Sequence, residues 1–102
     1  MEQVPMTYQL RASLQRALLG EVDDRMVAVT CGIAGSTITI RSYVDGPVIP
    51  QDVDRIQVVA TEVITDFMDE GYAVEAECLP VGSTKPEVLD FFAFYRAQRQ
   101  SP

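Results

Sequence analysis

The 102-residue sequence contains no histidine. That absence removes the usual general base, the usual triad member and the commonest metal ligand. Basic residues are scarce too: eight Lys and Arg stand against fifteen Asp and Glu, for a net charge of −7. Phosphate recognition runs on Lys and Arg, so no direct nucleic-acid partner is expected. An anionic membrane surface is excluded on the same ground. No apolar stretch approaches the ~20 residues of a membrane span. The opening MEQVPMTYQL has neither the basic nor the apolar region of a secretory signal. The two cysteines, Cys31 and Cys78, are too few for a disulfide scaffold and lack zinc-ligand spacing. Each sits in an apolar, strand-like run where a reduced thiol behaves as a small hydrophobe, and a bridge requires their strands to be neighbours. The expectation is a cytoplasmic chain that uses no metal and no cofactor.

The 47% hydrophobic and 23% charged content are ordinary for a folded protein. The length suits one domain, read as a single α+β domain over residues 1–102. Residues 1–5 and 98–102 read as frayed ends.

Leu10, Leu14, Ala17 and Leu18 recur at helical spacing between Met6 and Leu19, with Thr7 as a candidate cap and Gly20 where a helix C′ residue belongs. Arg25 to Cys31 is short and rich in β-branched residues, which predicts a strand. Gly32 to Ser36 reads as a hairpin connection. Thr37 to Val44 then alternates, with Ile38, Ile40, Ser42 and Val44 on one face and Thr37, Thr39, Arg41 and Tyr43 on the other. After the turn Asp45-Gly46-Pro47, the run Pro50 to Glu70 is too long for a strand. Val53, Ile56, Ala60, Val63, Ile64 and Phe67 form its apolar stripe.

Tyr72 to Leu79 alternates again, with Glu75 and Glu77 facing away from Tyr72, Val74, Ala76 and Cys78. Pro80 to Pro86 is a loop. Glu87 to Gln98 suits a strand or a terminal helix; its aromatics and shortness favour the strand. The order α-β-β-α-β-β predicts two hairpins, each preceded by a helix. They would pack as a two-layer sandwich, an antiparallel-rich sheet with two helices on one face. The other sheet face, covered only by its own side chains, becomes a candidate binding surface.

One feature breaks local rules. Glu62, Asp66, Asp69, Glu70, Glu75 and Glu77 follow one another with no intervening base. Glu62–Asp66 and Asp66–Glu70 are like-charge pairs at i,i+4, each unfavourable by about 0.2–0.5 kcal/mol. Asp69 and Glu70 also sit in the last helical turn, where the helix dipole favours cations. Uncompensated local cost marks a place to look for function, and here the function would be contact with a basic partner. The bland alternative is a solvated face that keeps an acidic protein soluble. Tyr43 beside Arg41 has the composition of an interface anchor, against the plainer reading of an open sheet face. Phe91, Phe92, Phe94 and Tyr95 must, in a strand, point to both faces; core packing is expected for at least two.

Catalysis is not expected. The acids lie on polar stripes rather than in an apolar pocket, and Ser36 and Ser42 have no histidine to activate them. Gly32 to Ser36 lacks the lysine and the following helix of a phosphate loop.

The runs Ala17-Leu18-Leu19-Gly20-Glu21-Val22, Met26-Val27-Ala28-Val29, Ile40 to Gly46, Thr61 to Phe67 and Phe94-Tyr95-Arg96 together resemble immunity proteins of contact-dependent growth inhibition and related polymorphic toxin systems. The resemblance spans most of the chain between Ala17 and Arg96. It implies a protein without chemistry of its own, whose partner is the C-terminal toxin domain of a large exoprotein, often a nuclease. It carries over no interface residues. Glu62, Asp66, Asp69, Glu70, Glu75 and Glu77, with Arg41 and Tyr43, are candidates on the charge argument alone. A monomer that blocks a basic toxin is the leading reading. A small acidic secretion chaperone, acting as a homodimer on an effector segment, is the alternative.

Overall fold

The computed structural model describes residues 5–82 and 85–96. The readings placed on residues 1–4, 83–84 and 97–102 lie outside them. Two helices and four strands follow in the order α1 (Met6–Leu18), β1 (Met26–Ala34), β2 (Thr37–Val44), α2 (Pro50–Phe67), β3 (Ala73–Pro80) and β4 (Phe91–Tyr95). A 3-10 turn, Met68–Glu70, extends α2. The strands form one mixed sheet in the order β3-β2-β1-β4. This is the α+β architecture the periodicity predicts, with both helices sharing one core against the sheet.

The first helix begins one residue before Thr7, which does not cap it; Pro5 precedes it without a side-chain cap. Its C′ residue, Gly20, adopts φ +82°, a left-handed conformation that glycine enters at no steric cost. Leu10, Leu14, Ala17 and Leu18 are buried as the spacing requires.

The first hairpin is tighter than expected. β1 continues through Gly32 and Ile33 to Ala34, because the eight residues of β2 offer backbone partners that far: Ile33 lies opposite Ile38, and Ala34 opposite Thr37. Only Gly35 and Ser36 remain for the turn. Ile38, Ile40, Ser42 and Val44 are all buried, as the alternation predicts.

In α2 the buried stripe is Asp52, Ile56, Val59, Ala60, Val63 and Phe67. Val53, expected inside, is exposed, and Ile64 is half-buried. The stripe's first position belongs to Asp52, which receives Arg25 from the turn just before β1. The Arg25 Nε and Nη2 atoms lie 2.9–3.2 Å from the Asp52 carboxylate oxygens. The Ile49 backbone N–H donates to the same carboxylate at 2.9 Å. An acid fully desolvated at a helix start is tolerable because a cation and an orphan N–H both meet it.

The second hairpin does not form. β3 runs parallel to β2, and β4 pairs antiparallel with β1 at the far edge. The reason is α2: a helix between consecutive strands returns the chain to its starting end, which makes the next strand parallel. With β2 flanked on both sides, open edges remain on β1 and on the outer side of β3, and β4 takes the one on β1. The chain between β3 and β4 therefore crosses the sheet face away from the helices. There Val81 and the partly buried Phe92 join Val27, Ala28 and Tyr43 in a second, smaller core. The face expected to be covered only by its own side chains is partly roofed by this crossover.

Cys31 and Cys78 are both free thiols. Cys31 pairs with Ile40 on β2, and Cys78 pairs with Ser42 on the other side of that strand. Two inter-strand spacings of about 4.8 Å separate β1 from β3, beyond the reach of a disulfide.

Candidate partner-binding site

β4 settles how the aromatic cluster divides. A register shift between Val29 and Thr30 leaves Phe94 beside Val29 and Phe92 beside Thr30. Phe91 and Phe94 pack into the helix-covered core. Phe92 and Tyr95 meet edge-to-face on the other side, with ring centroids 4.8 Å apart. Two aromatics thus serve the main core, and Tyr95 is the exposed one, at 47%.

Tyr43 is not exposed. At 7% accessibility it lies beneath the crossover. Its hydroxyl accepts the Glu87 N–H at 3.2 Å and donates to the Glu87 carbonyl at 3.3 Å. Arg41 Nη1 reaches the same hydroxyl at 3.3 Å, while Arg41 Nε donates to Glu77 Oε1 at 2.7 Å. The bond to Glu77 is the main reason the Arg41 guanidinium is held above its ordinary pKa. Tyr43 and Arg41 therefore form a strut under the crossover rather than a free anchor.

Thr30 does the same work one strand over. Its hydroxyl donates to the Phe91 carbonyl and accepts the Leu89 N–H, both at 2.8 Å. Asp90 Oδ2 accepts the Ile33 N–H at 2.8 Å. A Cβ on Gly32 would lie 3.0 Å from the Leu89 Cβ. Gly32 is thus a strand glycine kept for close approach of the crossover, a signal available in a strand-like run.

Between the crossover and β3 lies an open groove of about 860 Å³. Thr39, Arg41, Glu75, Glu77 and Asp90 line its polar side, and it reaches over the β3 edge to Val74, Ala76 and Gln57. Asp90 is the groove residue that the sequence reading missed.

The six candidate acids fall into three places. Glu62 and Asp66 flank a small crevice between α1 and α2, lined also by Ser13 and Arg16. Asp66 accepts the Ser13 hydroxyl at 2.6 Å and pairs with Arg16. Asp69 and Glu70 are exposed on the turn that ends α2. Glu75 and Glu77 lie together on the sheet face beside Thr39 and Arg41. Local sequence offers the run no compensation, but Arg16 and Arg41, distant in the chain, supply it to Asp66 and Glu77. Among the described residues, Glu62, Asp69, Glu70 and Glu75 have no cationic partner.

A family model described as MafI2 immunity protein matches residues 7–98. No curated protein matches this chain.

Proposed function

The chain belongs to the MafI2 immunity protein family, so its function is immunity against a cognate toxin protein, and we propose that it acts by covering a basic active-site groove of a nuclease toxin domain. The observation that carries this reading is charge. A chain of net charge −7 presents Glu62, Asp69, Glu70 and Glu75 to solvent with no cationic partner among the described residues. A nuclease must gather phosphate with Lys and Arg, and carboxylates can occupy the positions those phosphates would take. Asp66 and Glu77 add their charge from within ion pairs. Arg41 and Tyr43 contribute by holding Glu77 and the crossover in place. Tyr95, exposed on β4, is an aromatic available as an apolar anchor.

In this reading a cytoplasmic monomer binds the C-terminal domain of a toxin from a contact-dependent growth inhibition system. Complementary charge raises the association rate, which is what a protector needs when the toxin acts on nucleic acid. The test is titration of the toxin domain encoded beside this chain's gene, with cleavage of a nucleic-acid substrate as readout. Activity should fall linearly and vanish at one equivalent of the chain. Binding only as an obligate homodimer, with the folded toxin left active, would favour a chaperone instead.

A further inference from the structure

The two edges of the sheet are treated differently. β4 has five residues, is distorted by the register shift opposite Val29 and Thr30, and has its Ala93 carbonyl taken by the Gln15 side-chain amide at 2.6 Å. These are ordinary means of blunting an edge. β3 has eight residues, regular register with β2 from Ala73 to Pro80, and proline only at its last position.

The bonds at its ends fix which way its backbone faces. The Ala73 N–H donates to the Ser36 carbonyl and the Val81 N–H to the Val44 carbonyl, each at 2.9 Å. Odd-numbered residues therefore turn toward β2, and alternation aims the N–H and C=O groups of Val74, Ala76 and Cys78 outward. The groove of the candidate site opens onto this edge, with Val74 and Ala76 in its lining.

Resting on the immunity reading, we infer that the outer edge of β3 takes up a strand of the toxin carrying Lys or Arg at alternate positions. Backbone groups of Val74, Ala76 and Cys78 would extend the sheet by one strand. Side chains of the added strand that emerge on the groove side meet Glu75 and Glu77 directly. The same carboxylates argue against a second copy of this chain. An antiparallel pairing of two β3 strands about Ala76 sets Glu75 of each copy opposite Glu77 of the other. Like charges placed directly across a strand pair repel. A basic strand relieves that repulsion, so charge selects the occupant.

Amide hydrogen exchange tests the inference on the intact chain, free and bound to the inactivated toxin domain encoded beside its gene. In the complex, the amides of Val74, Ala76 and Cys78 should slow by about 100-fold or more, while those of Ala73, Glu75 and Glu77 are slow in both states. Ala76→Pro removes one outward N–H and leaves the bonds to β2 intact. It should raise the toxin dissociation rate about tenfold or more, since one lost interfacial hydrogen bond and a strand clash together exceed 1.4 kcal/mol. A tight complex with those three amides still exchanging freely overturns the inference and leaves the immunity reading standing. Protection that appears in the free chain and grows with its concentration also overturns it, by showing a second copy on the edge. Failure of the toxin domain to bind at all removes both.

Discussion

Arg41 on β2 and Glu77 on β3 sit at paired register positions, and their side chains meet at 2.7 Å. This cross-strand ion pair ties the candidate groove to the fold, because Arg41 also holds Tyr43, and Tyr43 holds Glu87. Glu77 is thereby both a surface carboxylate and one end of a strut.

Tyr43→Phe separates those two roles. It deletes a hydroxyl bonded to the Glu87 N–H and carbonyl but leaves the buried ring in place. The expected cost is about 1 kcal/mol, read as a shift in the urea midpoint with an unchanged m-value. Amides near Glu87 should exchange faster, while those of α1 should not change.

Charge reversal is most informative where the carboxylates have no cationic partner among the described residues. Asp69→Lys with Glu70→Lys should leave the melting temperature nearly unchanged, since both residues are exposed on the turn. It should slow association with a basic toxin at low salt by about tenfold. Asp66→Lys is a different experiment. It breaks the contacts with Ser13 and Arg16 and sets a second cation beside Arg16, so destabilisation is expected along with any binding effect.

Asp52 makes the fold sensitive to acid. Its bond to Arg25 is the largest influence holding its carboxyl below the ordinary 3.8, with the Ile49 N–H adding to the effect. A group whose pKa is lower when folded binds fewer protons in the native state. Its stabilisation is complete above the unfolded value and disappears as pH falls through the depressed one. Asp52→Asn should therefore cost about 2 kcal/mol at pH 7 and lower the melting temperature by about 10 °C. The difference from wild type should shrink as the pH drops below about 4, which thermal melts at stepped pH would show.

Thiol labelling reports the unequal burial of the two cysteines. Burial pushes Cys31 up to about 12 and raises Cys78 as well. Cys78 is only half-buried on the edge strand, whereas Cys31 is fully buried. Under native conditions at pH 8, a disulfide reagent should modify Cys78 first and Cys31 only on unfolding. Mild oxidation should yield no intrachain bridge.

Much of this fold was legible in periodicity. The alternation of Thr37 to Val44 and the four-residue spacing of Leu10, Leu14 and Leu18 named buried faces correctly, because each depends on local geometry alone. The pairing of β3 and β4 was not legible. Both strands have good local patterns, and their partners depend on where α2 deposits the chain. The same limit hid the ion pairs. Arg16 lies 50 residues from Asp66 and Arg25 lies 27 from Asp52, separations that no local charge pattern encodes. The burial of Tyr43 is hidden for a related reason: it is set by a crossover that begins more than thirty residues later.

The central claim is that the carboxylates with no cationic partner among the described residues meet a basic groove on the toxin. Stopped-flow association with the inactivated toxin domain encoded beside the gene, at roughly 20 to 500 mM salt (Debye lengths from about 20 Å down to about 4 Å), tests it most directly. The predicted result is an association rate that falls by about 10- to 100-fold across that range for the wild type, and far less once Glu62, Asp69, Glu70 and Glu75 are changed together to glutamine. An association rate indifferent to salt, or the same steep dependence in the fourfold variant, would contradict it.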